Sequence, residues 1–370
     1  MEDTYYRFVL IGNGYDRALG LKTSYADFIL SMFKTAAFET FEKGLFENEL
    51  IKIVRRKGIT YSEHPDKIRA GVHKMVDAKE IIDFIQRMGT LDYKYDFFEF
   101  IVNKFRIERW IDIENQYFEE LLKEYKVYQK NEILEDILLL NECMDKLSAE
   151  LKKYLLIEQN SINASYSNSH MASLIDQVNE PLRKDRRSLV KKHNRTKPPN
   201  QVIFVNFNYT NTVQKIIQNN FKENNCRHIH IHGNINDIKN PIIFGYGDDT
   251  SDTYNTLELE GVNELLRKVK SFEYPRTNNY HNLLNYLSGP EFDVFIVGHS
   301  CGLSDRTLLK TIFEHPNCMA IQNFHYSGEP EDFNKRMEIS RHFSDKVKMR
   351  ERVLSFDEFA TIPQPPKKKK

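Results

Sequence analysis

Five short apolar runs, each closing on glycine or on polar residues, constrain the fold of this chain more than any other feature. They are RFVLIG (7–12), QVIFVNFN (201–208), RHIHIHG (227–233), DVFIVGHS (293–300) and CMAIQNFHYS (318–327). Short runs this apolar mark strands buried on both faces of a parallel sheet. Between them, NTVQKIIQNNF (211–221), YHNLLNYLSG (280–289), DRTLLKTIFEH (305–315) and EDFNKRMEIS (331–340) repeat apolar residues at helical spacing. Strand and helix in alternation predict an α/β fold with helices on the faces of a parallel sheet. Four further expectations follow the same reading. They are a loop and turn over 13–24, a strand at IIFGYG (242–247), a helix over GVNELLRKVKSFEY (261–274) and a final strand at KVKMRERVLS (346–355).

The rhythm breaks after the first strand. A helix opens at TSYADFILSMF (23–33), with Thr23 or Ser24 as its cap. From about residue 35 to 180 helical periodicity dominates, as in AKEIIDFIQRM (78–88), WIDIENQYFEELLKEYKVY (110–128) and NEILEDILLLNECMDKLSAELKKYLLIEQ (131–159), and glycine is scarce. The expected organisation is a discontinuous α/β domain over 1–34 and 200–362, with a mostly helical insertion or cap over 35–199 and a disordered basic tail, PQPPKKKK, over 363–370. Residues 183–197, RKDRRSLVKKHNRTK, hold eight Lys and Arg. They read as a solvated basic linker, with a phosphate-contacting patch as the alternative.

A chain of 370 residues, 40% of them hydrophobic, has the material for one large domain or two joined ones. Lys and Arg number 53 and so do Asp and Glu. That balance excludes a global field drawing in nucleic acid or an anionic membrane. No apolar run approaches the roughly 20 residues that span a bilayer. The start, MEDTYYRFVLIGNG, lacks the basic-then-apolar pattern of a signal peptide. Cys143, Cys226, Cys301 and Cys318 show no CxxC spacing. Together these traits predict a cytoplasmic protein in a reducing compartment.

In an open parallel sheet, ligands bind at the carboxyl ends of the strands, and four such ends carry unusual residues. At Gly12-Asn13-Gly14-Tyr15-Asp16, two glycines after a strand permit close backbone approach to a ligand, or simply a tight turn. Arg17 stands where a complete G-x-G-x-x-G motif has its third glycine. At Asn206-Phe207-Asn208-Tyr209-Thr210-Asn211, asparagine amides can read ribose hydroxyls or position a water, or cap the next helix, a task open also to Thr210 or Asn211. Alternation along a strand puts His228, His230 and His232 on one face. Three imidazoles there are a candidate zinc set; satisfied structural histidines are the plainer reading, with His232 at the strand end beside Gly233 as the functional one. The fourth end, Gly298-His299-Ser300-Cys301-Gly302, matches G-x-S-x-G. A nucleophile elbow enters its helix almost at once, whereas Ser304-Asp305-Arg306-Thr307 reads as the helix cap and delays it. A turn presenting backbone N–H groups and a hydroxyl to phosphate or ribose accounts for all four loops together.

The set GNGYDRALGLKTSYADF, NFNYTNT, HIHGNIND, FGYGDD and VGHSCGLSDRTLL resembles the bacteriophage abortive infection AbiH family, over residues 8–30 and 200–315. More distantly, the order of the motifs is similar to sirtuin-like NAD-hydrolysing domains. There, Gly12-Asn13-Gly14-Tyr15-Asp16 corresponds to a glycine-alanine-glycine loop, Asn208-Tyr209 to part of a T-x-N-x-D motif, His232-Gly233 to the catalytic His-Gly, and Gly298, Ser300 and Asp305 to a ribose-binding turn. Asn206 and Thr210 depart from that motif, and the missing CxxC pairs argue against a structural zinc and against deacylation.

The resemblance implies a Rossmann-like, sirtuin-like sheet with the large helical insertion after the first strand, and antiphage defence by cleavage of NAD at the nicotinamide–ribose bond. No cofactor is expected beyond NAD itself as substrate, and no metal. His232 is the implied general base, an ordinary histidine pKa near 6.5 suiting neutral pH. Asn208 orients ribose or water, and Asp16 stabilises developing positive charge. The implied NAD-binding set is Gly12, Asn13, Gly14, Tyr15, Thr23, Ser24, Tyr209, Gly233, Gly298, His299, Ser300 and Asp305. Homo-oligomerisation and a phage-derived trigger or defence-system partner are expected to restrain such an activity. Nucleic acid is a weaker expectation and a membrane none. Three alternatives stand beside this: a non-catalytic NAD or ADP-ribose sensor, a metal-dependent hydrolase or nuclease using His228, His230 and His232, and a serine esterase using Ser300.

Overall fold

The computed structural model describes residues 4–58, 65–108, 111–161, 164–190, 195–221, 225–249 and 251–364. Residues 365–370 of the expected tail and 191–194 of the basic stretch lie outside the described residues. The chain divides into two compact units, one of residues 1–22, 155–260 and 269–370, the other of residues 23–154 and 261–268.

The first unit is built on five parallel strands. These are β1 (Tyr6–Ile11), β5 (Gln201–Asn206), β6 (Cys226–His230), β7 (Phe292–Val297) and β8 (Cys318–Phe324), in the spatial order β6-β5-β1-β7-β8. Their apolar runs are continuous because both faces are covered. Phe8 and Leu10 of β1, Ile203 and Val205 of β5, and Val294 and Ile296 of β7 pack on one side with Leu283 and Leu287 of helix Asn279–Leu287 and Leu308 and Ile312 of helix Arg306–Phe313. Val9, Ile11, Val202, Phe204, Phe295 and Val297 face the other side, against Met171, Leu174 and Val178 of helix Ala164–Asn179 and Val213 and Ile216 of helix Thr212–Asn220. The fold is the expected Rossmann-like α/β sheet. From the central β1 the order runs outward through β5 to β6, then restarts on the other side with β7. A reversal of this kind opens the carboxyl ends of the flanking strands as the usual ligand crevice.

A fully buried ion pair ties the sheet together. Arg7 Nε and Nη2 each donate to Asp293 at 2.8 Å, and Nη1 donates to the carbonyls of Gln177, Val178 and Glu180 at the end of helix Ala164–Asn179. Two arginines of the basic stretch are likewise structural, whereas Arg183, Lys184 and Lys197 are exposed. Arg186 is buried and donates to the Ser355 and Phe356 carbonyls, and Arg195 pairs with Glu291.

The second unit opens with helix Tyr25–Lys43, capped by Ser24 in a reciprocal capping box with Asp27. It also holds an antiparallel sheet, β2 (Leu45–Glu47), β3 (Ile51–Arg55) and β4 (Gly89–Tyr93), within the stretch whose sequence is dominated by helical periodicity. Among the described residues no helix is long and apolar enough to cross a membrane.

Four local expectations are corrected. Residues Asn13–Ala18 form a short helix directly after β1 rather than a loop. IIFGYG is no strand: Ile243 N–H donates to the His232 carbonyl, the Ile243 carbonyl accepts from the Tyr209 hydroxyl, and Tyr246 alone makes a bridge, to Val269. The run 261–274 breaks into short turns, Asn263–Leu265, Lys270–Glu273 and Tyr274–Arg276, because Lys270 N–H bonds outward to the Tyr246 carbonyl. KVKMRERVLS begins as helix Lys346–Arg352, since Asp345 caps the N–H groups of Val347 and Lys348; only Val353 joins β8, through Ile321.

Candidate functional site

The carboxyl ends of β1, β5 and β7 meet through backbone. Gly12 N–H donates to the Val297 carbonyl at 3.1 Å and Gly14 N–H to the Gly298 carbonyl at 2.8 Å. A Cβ on Gly12 would stand 2.4 Å from His299 Cα, and one on Gly298, whose φ is +67°, 2.4 Å from Tyr15 N. These glycines let two loops touch backbone to backbone. Of the backbone N–H groups over 12–16 that were expected to meet a phosphate, those of Gly12 and Gly14 are taken by Val297 and Gly298. Asn208, buried at the end of β5, donates its amide to the Gly12 carbonyl at 3.1 Å, while its own N–H donates to Asn206 Oδ1. Asp16 is buried and accepts from the hydroxyls of Thr210 at 2.6 Å and Thr212 at 2.5 Å. Burial raises its carboxyl to about 6, against the pull of those hydroxyls. The two threonines were not read as Asp16 partners from the sequence. Helix Thr212–Asn220 takes Asn211 as its cap residue without a side-chain bond.

Beyond β6 the chain delivers His232 to Asp305. β6 ends at His230, so His232 lies just beyond the strand, and Gly233 turns the chain at φ +85°. The His228 and His230 rings lie 4.3 Å apart by centroids and tilted at 55°, and His230 Nδ1 lies 3.3 Å from the Asn206 amide. Burial lowers His228 to about 3 and His230 to about 4. Among the described residues no three His, Cys, Asp or Glu side chains converge as a metal site.

His232 Nε2 is 3.1 Å from Asp305 Oδ1, and His299 Nε2 is 3.4 Å from Oδ2. Phe207 sits between the two imidazoles, its ring 5.0 Å from His232 and 4.1 Å from His299. Tyr209 lies 6.5 Å from His232 by centroids. Asp305 precedes helix Arg306–Phe313 but makes no cap bond, which leaves its carboxylate to this cluster. Lys270, with none of its surface exposed, donates to Asp305 Oδ1 at 2.7 Å. Sequence reading missed Lys270, since a lysine in ELLRKVKSF looks like part of a solvated helix face. Burial lowers His232 to about 4, and the Lys270 charge works in the same direction. Burial acts to raise Asp305, but Lys270 and then His232 hold it well below the usual carboxylate range. His299 Nδ1 accepts from Cys301 N–H, which leaves the proton of the neutral ring on Nε2, facing Asp305. His299 is lowered by burial, so both imidazoles are neutral at pH 7.

The loop around these groups is held from outside. Lys335 donates to the carbonyls of His299 and Ser300, both at 2.8 Å, and His342 Nε2 donates to the Cys301 carbonyl at 2.8 Å. Ser300 is exposed and accepts from Gly302 N–H. Its helix starts six residues later, at Arg306, so this is no nucleophile elbow. Asn13 is exposed and Tyr15 buried. Thr23 and Ser24 belong to the other unit, where Ser24 caps a helix. Of the expected site, the structure thus brings together His232, Asp305 and His299 in one group, and Gly12, Gly14, Asn208 and Gly298 in another.

A model of the family described as bacteriophage abortive infection AbiH matches residues 8–326. No curated protein matches the chain in sequence.

Proposed function

The chain belongs to the bacteriophage abortive infection AbiH family, whose role is antiphage defence, and we propose that it acts there by hydrolysing NAD at the nicotinamide–ribose bond. One observation carries the reading: a buried neutral imidazole, His232, held at 3.1 Å by a buried carboxylate, Asp305, beyond the strand ends of a Rossmann-like sheet. Strongly shifted groups gathered at such a position are the usual signature of chemistry rather than of packing.

The reaction asks little of an acid. Nicotinamide leaves as a neutral molecule, taking the bond's electron pair to its own ring nitrogen, and the ribose carbon becomes oxocarbenium-like. A water then attacks that carbon, and its proton passes to His232, with Asp305 stabilising the imidazolium that forms. Asp16, buried and in large part ionised at neutral pH, supplies negative charge near the strand ends. Its main task, with Asn208, is to hold the loops after β1 and β5 in register. Asn13, Tyr15, Tyr209, Gly233, His299 and Ser300 are assigned to the dinucleotide. Cytoplasmic location, self-association and a phage-derived trigger belong to the same proposal.

A second reading, binding of NAD or ADP-ribose without turnover, is favoured by the commitment of Asn208 and both loop glycines to intramolecular bonds. Measuring NAD in phage-challenged cells carrying the wild type or His232→Ala separates the two. The enzyme reading expects NAD to fall only with the wild type. Unchanged NAD in both strains, with NAD binding to the purified protein retained, would establish the sensor.

A further inference from the structure

Lys270 is the most unusual side chain in the α/β unit. An ammonium with no exposed surface requires a partner of opposite charge, and the chain is shaped to provide one. Tyr246 bridges Val269 in parallel, and Lys270 N–H donates to the Tyr246 carbonyl at 2.8 Å, which fixes where the lysine enters. Gly247 packs directly on the Ser304 backbone, where a Cβ would lie 2.4 Å from the carbonyl oxygen, and the Lys270 side chain runs beside it, its Cδ 3.4 Å from the same point. The ammonium ends 2.7 Å from Asp305 Oδ1, the same oxygen that His232 Nε2 approaches at 3.1 Å. The other oxygen faces His299.

We infer that Lys270 is a positioning residue, which holds Asp305 as a carboxylate against His232 and keeps the His232 imidazole in the proton-accepting form. The inference rests on the role given to His232 above. Without the ammonium, Asp305 would face His232 uncompensated, draw a proton onto it and remove the base. The charged and titratable groups facing this pair are Lys270 and His299, with the Tyr274 and Tyr209 rings beside His232 and Cys301, Lys335, His342 and Arg306 around them. Of these, Lys270 alone donates to the oxygen shared with His232.

The test is the protonation of His232, followed by imidazole 15N NMR of the full chain from pH 7.5 to 5, with the signal assigned by its loss in His232→Gln. In the wild type the ring is expected to stay neutral over this range. In Lys270→Met, or Lys270→Gln should the first not fold, its midpoint is expected to rise by at least one pH unit, a tenfold gain in proton affinity. Lys270→Arg is expected to restore the wild-type curve. An unmoved midpoint in the neutral variants overturns the inference. So does a wild-type His232 that titrates near its ordinary value, a result that needs no variant at all. Nicotinamide release is read in parallel. Its absence from the wild type while the NMR shift is present removes the NAD reading and leaves the coupling of Lys270 to His232 standing.

Discussion

Gly298→Ala tests whether the β1 and β7 loops depend on direct backbone contact. The residue sits at φ +67°, where an L side chain is strained by about 1–2 kcal/mol. A methyl there would also stand 2.4 Å from Tyr15 N and 2.7 Å from the Gly14 carbonyl carbon. Both are backbone atoms of the short helix Asn13–Ala18, fixed by the Gly12 and Gly14 hydrogen bonds, so neither yields as a side-chain tip would. Relief requires separating the loops, an overpacking cost of about 1–3 kcal/mol. The total is about 2–5 kcal/mol. Gly20→Ala is the control: Gly20 has φ +86° with nothing within 4 Å of its built Cβ, so it carries the backbone term alone. Urea unfolding followed by far-ultraviolet circular dichroism compares the two variants. Gly298→Ala should lose clearly more stability than Gly20→Ala. Equal losses would refute the contact argument and reduce Gly298 to a simple turn residue.

Acid should destabilise the fold. Burial depresses His228, His230 and His232 to about 3, 4 and 4, so their contribution is complete above the unfolded value of 6.5 and is lost as pH falls toward 4. Each loses about 2 kcal/mol between pH 7 and pH 5 by linkage, whereas Asp16, raised to about 6, recovers only about 1 kcal/mol. Unfolding free energies at the two pH values that agree would contradict this. Arg7→Met should cost about 3–5 kcal/mol by removing one partner of the buried ion pair with Asp293, and Arg7→Met with Asp293→Leu should recover most of it, as read by chemical denaturation. Ser300→Ala should raise KM for NAD several-fold with kcat unchanged, and a serine-reactive phosphonate should leave the wild type unlabelled.

The sheet was legible because parallel strands buried on both faces need unbroken apolar runs, and RFVLI, QVIFV and DVFIV are such runs. Elements whose backbone bonds go to distant partners were not legible. IIFGYG has strand composition, yet its hydrogen bonds go to the His232 and Tyr209 loops. KVKMRER alternates like a strand but follows Asp345, whose cap turns it into a helix. The short sheet of β2, β3 and β4 was hidden because strands of 3 and 5 residues offer little periodicity among long helices. At the site, His232 and His299 were readable from their place after strand ends, and Asp305 only through the resemblance to a ribose-binding turn. Lys270 was not, because only its complete burial distinguishes it from a surface lysine, and the run ELLRKVKSF does not show burial. The glycines were found for one reason and serve another, since sequence shows that close approach is permitted but not what approaches.

The central claim, that His232 makes this chain an NAD hydrolase, is tested most directly by nicotinamide release from NAD by the purified protein, alone and with lysate of phage-infected cells. The account predicts release by the wild type and a loss of at least about 100-fold in His232→Gln, the scale of a removed general base, with the circular dichroism spectrum unchanged. Equal release by both proteins, or none from the wild type with either addition, would contradict it.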